Sequence, residues 1–383
     1  MRHYKNFIEA YLKYTDNTEP STLYRTWVAV GIINAVLQRK CYHVHSEKVY
    51  TNEYIVLIGP SGCRKGTAMR PASSLLQSLG ITIAPNAVTR RSIMSELESA
   101  NSITINKDNT TNQSCALTVF SEEITVFFGA KDIQLMQLLI DWYDGHDQWD
   151  YKTEHAGNAS IKGVWLNIIG ATTPDLLQES LPKSVLGGGL SSRIVFVFSS
   201  RKEKIITRPS YEENMEELLA HDLGEIHQLS GEFKITDDFF ALYDKWYQAN
   251  HKDFTKDSRL DKYRERRSLH LRKLCMSISA SLRDDMIIDA NIFNIAIDLL
   301  RKTEALMIGA YSQVGKDPTA YMQTIILDKI KTERKTTLKD IYKQYFFDIS
   351  MEDLTKILIS LETREEISLV KVNSGNDLII EKI

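Results

Sequence analysis

The segment that most constrains the fold lies near residue 60, where an apolar run meets a glycine-bearing loop and then a helical pattern. The run EYIVLI occupies 53–58, the loop GPSGCRKGT occupies 59–67, and apolar residues recur at helical spacing over 68–79. A short apolar run stopped by Gly-Pro is typical of a buried strand. Strand, loop and helix in this order distinguish a phosphate-binding loop from a chance group of glycines. The sequence therefore predicts an α/β fold with a phosphate loop at 59–67.

This loop departs from the usual pattern at two positions. The pattern is Gly, four residues, Gly, Lys and then Ser or Thr; its backbone amides cradle phosphates, its lysine supplies charge and its hydroxyl binds magnesium. Gly59 and Lys65 have the required separation, but Arg64 replaces the second glycine and Gly66 replaces the hydroxyl residue. The alternative to a nucleotide site is a structural glycine turn. We predict ATP and Mg²⁺ as cofactors, bound by the loop residues Gly59, Pro60, Ser61, Gly62, Cys63, Arg64, Lys65, Gly66 and Thr67.

Carboxylates are needed beside the phosphates, because the magnesium ion and the attacking water must both be held there. The predicted strand ALTVF at 116–120 ends just before Glu122 and Glu123, which we assign as catalytic residues, with Glu122 also a metal ligand. The sequence leaves open which glutamate takes which part. Thr67 is the other predicted metal ligand, with Ser61 or a water molecule as alternatives. An exposed acidic turn is the competing interpretation.

Two later segments supply further catalytic candidates. The predicted strand VWLNII leads to Thr172 and Thr173, where a hydroxyl could orient the attacking water, unless these threonines only form a turn and a helix cap. Arg193 stands between a loop with three glycines at 187–189 and the predicted strand IVFVF at 194–198. An arginine there could reach the nucleotide of a neighbouring subunit, although an isolated arginine is not diagnostic. We therefore add Thr172 and Arg193 to the catalytic candidates.

Strands that alternate with helices between 53 and 198 imply a parallel sheet covered on both faces. Within this region we expect a loop at 101–114, which is rich in Asn, Thr and Ser, and a polar segment at 144–158. Two helices around Pro20 precede the sheet. The region 211–311 looks helical, with breaks near Gly231 and Asp253.

After Pro318, helices followed by two strands around a turn at 373–376 resemble a winged helix. The whole pattern predicts an N-terminal helical region, a nucleotide-binding core, a helical lid and a winged-helix-like domain. Their predicted bounds are 1–50, 51–208, 209–315 and 316–383, respectively.

Charge does not identify this chain as a nucleic-acid binder. Its 383 residues carry a formal net charge of -3 and a sequence pI near 6.3, so a DNA-binding surface would have to be local. Basic residues outnumber acidic ones at 259–273, and the residues we predict to contact DNA are Arg264, Arg266, Arg267 and Lys273. The alternative is a solvated helix face. The segment 318–383 has 10 Lys or Arg and 11 Asp or Glu, which sums to -1 and favours neither DNA nor protein as its target.

Several other classes of protein are disfavoured by composition. The four cysteines are far apart without zinc spacing, so neither a disulfide framework nor a zinc site is predicted. No apolar run approaches the ~20 residues of a membrane span, and residues 1–16 lack the apolar centre of a secretory signal. We therefore expect a cytoplasmic protein without membrane contact. An acidic loop, rather than a metal site, is the interpretation of Asp141, Asp144, His146, Asp147, Asp150 and His155.

Four segments together resemble a family of phage- and prophage-encoded P-loop proteins, which are helicase-like ATPases often found near primases. The segments are EYIVLIGPSGCRKGTAMRPA, TVFSEE, GVWLNIIGATTPDLL and GGGLSSRIVFVF, and the resemblance spans roughly residues 5–310. It implies an AAA+ or RecA-like fold and a hexameric ring loaded on DNA, single-stranded DNA above all, in the cytoplasm of a bacterial host. It also implies that Arg193 is an arginine finger, and that Arg266, Arg267 or Arg272 supplies a second arginine.

The leading hypothesis from the sequence is an ATP-dependent DNA motor, a replicative helicase of a phage or mobile element with a primase as possible partner. A nucleotide-gated adaptor, such as a helicase loader or replication initiator, is the alternative that the departures at Arg64 and Gly66 favour. A third hypothesis is a defence or regulatory ATPase whose terminal domain contacts protein.

Overall fold

The computed structural model describes residues 1–105, 111–129, 131–153, 157–181, 189–249, 260–311, 318–333, 335–346, 349–371 and 378–382. The chain forms two compact units, Met1–Tyr311 and Ser312–Ile383. Outside the described residues lie the sequence predictions that concern His155, Gly187, Gly188, Asp253, Arg259 and the turn at 373–376.

The larger unit begins with the two predicted helices, α1 (Phe7–Tyr14) and α2 (Thr22–Leu37). Helix α2 starts where the Ser21 side chain accepts a hydrogen bond from the Tyr24 backbone N–H at 3.2 Å. It is apolar nearly all round and almost wholly buried, which is the pattern of a helix inside a protein core. An antiparallel ribbon of β1 (Cys41–Val44) and β2 (Lys48–Tyr50) follows.

A mixed, mostly parallel sheet of five strands forms the centre of the larger unit. The strands of this region are β3 (Tyr54–Ile58), β4 (Asn101–Ile105), β5 (Thr111–Ser121), β6 (Gln148–Thr153), β7 (Gly157–Lys162), β8 (Val164–Thr172) and β9 (Ile194–Phe198). The order across the sheet is β4–β5–β8–β3–β9, in which β4 is antiparallel and the other four are parallel. Every residue of β3 and β8 is buried, as expected for parallel strands covered on both faces.

Register brings the candidate residues of three strands to one edge of this sheet. Ile58 pairs with Thr172, and Ser121 pairs with Gly170. The loop after β3, the glutamates after β5 and the end of β8 therefore lie side by side. The side-chain amide of the buried Asn167, within β8, accepts from the Glu53 N–H at 3.1 Å and donates to the Gly31 carbonyl at 3.2 Å.

Helices cover the sheet and build the rest of the larger unit. They are α3 (Lys65–Ser78), α4 (Arg90–Ser99), α5 (Ile124–Phe128), α6 (Ile133–Trp142), α7 (Pro174–Ser180), α8 (Met215–His227), α9 (Asp237–Ala249), α10 (Asp261–Leu282) and α11 (Ala290–Met307). Short strands β10 (Gly231–Glu232), β11 (Lys234–Ile235) and β12 (Ile287–Ile288) interrupt the helical region. The Trp27 indole donates to Thr303 Oγ1 at 2.7 Å and so joins α2 to α11.

Two segments contain strands that were not predicted. The segment predicted as a loop at 101–114 contains β4 and the start of β5, with Asn101 paired to Cys115. The polar segment at 144–158 contains β6, which pairs with β7 in an antiparallel ribbon. Both errors have one cause: polar residues suit solvent-facing strands, whose stability comes from backbone pairing rather than from an apolar pattern.

The smaller unit has the predicted helices followed by a hairpin. Its elements are α12 (Pro318–Glu333), β13 (Lys335–Thr337), α13 (Leu338–Tyr345), α14 (Met351–Thr363), β14 (Ile367–Lys371) and β15 (Leu378–Lys382). The strands form an antiparallel sheet in the order β13–β15–β14, of which β13 was not predicted. Its core is aliphatic, and includes Ile326, Ile330, Ile341, Leu354, Leu358, Leu361, Ile367 and Ile380.

In the described part of the chain, none of the helices combines the length and the apolar character needed to cross a membrane.

Candidate functional site

Two residues of the loop between β3 and α3 adopt the left-handed backbone conformation. Gly62 has φ +89°, and Arg64, the N-cap of α3, has φ 62° and ψ 31°. A residue with a side chain costs about 1–2 kcal/mol in this conformation. Arg64 thus retains the backbone shape for which the usual pattern provides a glycine.

The Arg64 side chain ties the loop to the segment before α2. Its Nε donates to Glu19 Oε2 at 2.7 Å, and Lys202 Nζ donates to Glu19 Oε1 at 2.6 Å. The hydrogen bond from Lys202, with help from Arg64, lowers the pKa of Glu19 to about 2. Glu19 is 45 residues away from Arg64 and belongs to no motif, so this anchor could not be predicted from the sequence.

Lys65 is the first residue of α3, and its ammonium folds back over the loop. Nζ donates to the Gly59 carbonyl at 2.6 Å and to the Pro60 carbonyl at 3.2 Å. Partial burial lowers the pKa of Lys65, against the opposing influence of Cys63 and Glu123. The N-terminal amides of α3 add a favourable field for anions at the same place. The loop, the Lys65 ammonium and the start of α3 together provide the positive charge and the backbone N–H groups that can bind a phosphate group.

The two glutamates after β5 lie beside the start of α3. A Cβ atom added to Gly66 would overlap Glu122 Oε2 and lie 3.0 Å from Glu122 Cδ. Glu123 acts electrostatically on Lys65, and its Oε1 accepts a hydrogen bond from Thr125 Oγ1 at 2.6 Å. Since successive helical residues project about 100° apart, Thr67 leaves α3 in another direction from Gly66. In the first turn of α3, Gly66 is therefore the residue that faces Glu122.

Thr172 and Thr173 have different surroundings. Thr173 Oγ1 accepts from the Leu176 backbone N–H at 3.3 Å and caps α7, so the cap interpretation applies to Thr173. Thr172 is fully buried at the end of β8, and within the described residues its hydroxyl has no hydrogen-bond partner. Buried hydroxyls are normally satisfied, which makes Thr172 the member of the pair that is open to a functional contact.

A polar cleft of about 620 Å³ opens beside the glutamates and along α3. Arg70 Nε lies 3.4 Å from Glu122 Oε1 in this cleft. The residues that line the cleft are Arg70, Ser73, Ser74, Gln77, Asn86, Phe120, Ser121, Glu122 and Glu123. Arg70 and Asn86 were not predicted, because neither belongs to the motifs that identify the loop and the acidic strand end.

Arg193 lies at the opposite edge of the sheet from the loop. It precedes Ile194, which pairs with Tyr54 at the start of β3, so five steps along the strand, or about 16–17 Å, separate it from the level of Ile58. Its side chain is buried, with Nη1 bound to the Gly189 carbonyl at 2.9 Å and Nη2 bound to Asp144 Oδ2 at 3.0 Å. The structure therefore does not bring Arg193 to the loop of its own chain.

The four predicted DNA contacts on α10 separate into two pairs. Arg267 is buried and binds Glu304 through Nε and Nη2, both at 2.6 Å. Lys273 is also buried: Nζ donates to the Asn52 carbonyl and side chain at 2.5 and 2.8 Å, and burial lowers its pKa to about 8. These two side chains are bound within the protein, which corrects their assignment to an exposed DNA-contacting group.

Arg264 and Arg266, the other pair, are partly exposed. Arg264 pairs with Asp261 at 3.1 Å, and Arg266 lies 3.5 Å from Asp144. Of the four predicted DNA contacts, these two arginines are the ones whose side chains are not buried.

Two clusters of ionisable side chains lie away from the edge at which the parallel strands end, here called the carboxyl edge. Their members bind other groups of the same chain. In the predicted acidic loop, His146 Nε2 lies 3.0 Å from Asp141 Oδ1, and the Trp149 indole donates to Asp141 Oδ2 at 2.6 Å. His3, His221 and Asp222 could hold a metal ion by proximity. However, the buried Asp222 already accepts the backbone N–H groups of residues 3 and 4, at 2.7 and 2.8 Å. This cluster therefore fastens the start of the described chain to α8.

No protein-family model matches the sequence, and no match is found among curated proteins either. A functional assignment therefore depends on the geometry of the carboxyl edge.

Proposed function

We propose that this chain is a P-loop ATPase that binds ATP and Mg²⁺ at the carboxyl edge of its central sheet. The observation that carries the proposal is the left-handed loop before Lys65, with the Lys65 ammonium held against the Gly59 carbonyl. The strand order supports it as well, since β8 lies between the loop strand β3 and the acidic strand β5, as in proteins of the AAA+ and RecA-like class.

The residues at this edge suit separate parts of phosphoryl transfer. Loop amides and Lys65 would hold the phosphates, and carboxylate oxygen is a preferred ligand of magnesium. Bound magnesium would neutralise charge on the β- and γ-phosphates. Glu122, which faces α3, is suited to hold the ion, and Glu123, beside Lys65, is suited to act as general base. The unpartnered hydroxyl of Thr172 is suited to orient the attacking water.

In this proposal, ATP drives the movement of a ring of such chains along DNA, as in a replicative helicase of a phage or mobile element. The ring would act in a bacterial cytoplasm, with a primase as possible partner. Arg193 at the amino edge, distant from its own loop, supports a role at the nucleotide of a neighbouring subunit. Of the four predicted DNA contacts on α10, Arg264 and Arg266 are the two that remain open to DNA.

A nucleotide-gated adaptor is the second candidate, and two observations favour it. Arg193 is held by Asp144 and Gly189 rather than presented to a neighbour. Arg267 and Lys273 are unavailable to DNA because they are buried in ion-pair and hydrogen-bond contacts. Such a protein would bind ATP and a replication partner without unwinding DNA.

The smaller unit, which we interpret as a winged helix, favours a protein partner. In a winged helix α14 would be the helix presented to the DNA major groove. Lys356, the basic residue of α14, is paired with Glu352 at 2.7 Å and with Asp353 at 3.4 Å. A helix face with neutralised lysine and further carboxylates is repelled by phosphates. We therefore propose protein contact for this unit.

ATP turnover with and without single-stranded DNA, alongside a strand-separation assay, tests these functions. Turnover that DNA stimulates and that accompanies unwinding supports the motor, whereas ATP binding without stimulation supports the adaptor. Glu123→Gln should retain ATP binding and lose turnover, with the exposed Glu98→Gln as the matched control. Absence of ATP binding by the wild-type protein would contradict both candidates.

A further inference from the structure

Gly66 is a helical glycine whose missing side chain leaves room for a carboxylate. It is the second residue of α3 and is absent from the glycines with positive φ, so a side chain there meets no backbone strain. The obstacle is steric. An added Cβ would overlap Glu122 Oε2, with Glu122 Cδ at 3.0 Å and Cγ at 3.7 Å. Serine or threonine, the residues of the usual pattern, therefore do not fit while Glu122 keeps its position.

The Glu122 carboxylate is positioned from two sides. Oε1 lies 3.4 Å from Arg70 Nε, and Oε2 faces Gly66 at the start of α3. The positive end of the helix dipole favours a carboxylate at this place. Glu122 follows the end of β5, and one of its oxygens occupies the space that the Cβ of a side chain on residue 66 would take.

We propose that Gly66 and Glu122 together replace the magnesium-binding hydroxyl of the usual phosphate loop, glycine by leaving the space and Glu122 by supplying the oxygen ligand. The inference rests on the proposed nucleotide site and assigns its metal ligand. It explains one departure from the pattern without needing Thr67 or Ser61. It also replaces a neutral ligand by a charged one, so the metal site depends on Glu122 more than a hydroxyl-based site would.

Restoring a missing motif residue normally improves ligand binding, but here we expect the opposite for Gly66→Ser. Gly66→Ser restores the hydroxyl residue of the usual pattern, with Arg64 still in place of the glycine, but its side chain would displace Glu122 and should weaken metal binding. Glu122→Ala removes the ligand and should also weaken it. In the double variant Gly66→Ser with Glu122→Ala, the serine has room and can supply the missing oxygen. The double variant should therefore bind the metal better than either single variant.

The readout is the ratio of the ADP dissociation constant in EDTA to that in Mn²⁺, which isolates the metal contribution without any need for turnover. We expect each single variant to lower this ratio roughly 10- to 100-fold, the range found for lost metal-site contacts, and the double variant to recover towards the wild-type ratio. Gly224→Ser is the matched control, because a Cβ at that helical glycine would meet Leu79 Cδ2 at an ordinary 3.5 Å. Thermal unfolding of each variant checks that it folds.

The inference would be overturned if the two substitutions lowered the EDTA-to-Mn²⁺ ratio of ADP dissociation constants independently, so that their effects added in the double variant. A wild-type ratio in Glu122→Ala would overturn it as well. The second result remains decisive even if Gly66→Ser does not fold, because Glu122 is half-exposed and its truncation leaves no cavity. Failure of the proposed function looks different: the wild-type protein would not bind ADP under either condition, which would overturn both proposals.

Discussion

At the scale of single residues, Thr172 and Thr173 show how neighbouring, chemically identical side chains can have different roles. Thr173 satisfies a backbone N–H of α7, whereas the hydroxyl of Thr172 is buried without a partner in the described structure. An unsatisfied buried hydroxyl weakens a fold, so the Thr172 hydroxyl is a candidate for a contact made during function.

Replacement of each threonine by valine separates these roles. Thr172→Val should leave the free energy of unfolding unchanged or raised, since an unsatisfied polar group is removed, and should lower turnover with ATP affinity intact. Thr173→Val should cost about 1 kcal/mol through loss of the helix cap and retain turnover. Urea unfolding and steady-state kinetics measure both effects. Normal turnover in a folded Thr172→Val protein would remove this hydroxyl from the catalytic candidates.

Glu19 gives a prediction for pH dependence. Its pKa in the folded protein is about 2 instead of the usual 4.5, chiefly because Lys202 donates to it. A depressed pKa means that the folded state binds the proton less well than the unfolded state, so the stabilisation is complete above pH 4.5 and lost as pH falls towards 2. The difference in free energy of unfolding between wild type and Glu19→Gln should therefore shrink from pH 6 to pH 3. A difference that stays constant over this range would exclude the ionised Glu19 as the anchor of Arg64.

The sequence located the loop but not the contacts that compensate for its departures. Arg64 and Gly66 were visible as exceptions. Their partners Glu19 and Glu122 reach them through tertiary structure, and a single sequence carries no periodicity or spacing that reports such a contact.

At the scale of elements, whether a strand could be predicted from the sequence depends on how far it is buried. The parallel strands β3, β8 and β9 were predicted because burial on both faces requires continuous apolar runs. The strands β4, β6 and β7 were missed because their side chains are mostly polar. Helix α10 was predicted as helical, but its pattern could not distinguish solvent-facing arginines from Arg267, whose charge is paired in the core with Glu304.

Helix α10 therefore makes a two-part prediction. If Arg264 and Arg266 contact phosphates of single-stranded DNA, neutralising both should reduce the slope of log affinity against log salt by about 0.7 per lost contact. Arg267→Met should instead destabilise the fold by about 3–5 kcal/mol, because it leaves a buried carboxylate unpaired. Fluorescence titrations at several salt concentrations and urea unfolding test the two parts. An unchanged salt slope would assign Arg264 and Arg266 to the solvated helix surface.

At the scale of the whole molecule, the proposal that Arg193 acts on the nucleotide of a neighbouring subunit can be tested with mixed chains. We expect Arg193→Ala to retain ATP binding and lose turnover, with some loss of stability because Asp144 loses one of its two arginine partners. Mixing it with Lys65→Ala chains should restore part of the turnover, since some interfaces then pair an intact loop with an intact arginine. Arginine fingers contribute on the order of 10³–10⁵ in rate in other phosphoryl-transfer proteins. Inactive mixtures, under conditions where subunit exchange is demonstrated, would assign Arg193 to the structure of the amino edge.

The proposed ATP and Mg²⁺ site exists only if the loop at 59–67 binds nucleotide phosphates. Calorimetric titration of Mg²⁺·ATP into wild-type and Lys65→Ala proteins tests this, with Lys13→Ala, an exposed lysine of α1, as control. Charge-assisted hydrogen bonds contribute about 1.5–3 kcal/mol, so Lys65→Ala should weaken binding roughly 10- to 100-fold, while Lys13→Ala binds as wild type and both variants unfold normally. Equal affinity in wild-type and folded Lys65→Ala proteins would contradict the assignment of this loop as the phosphate site.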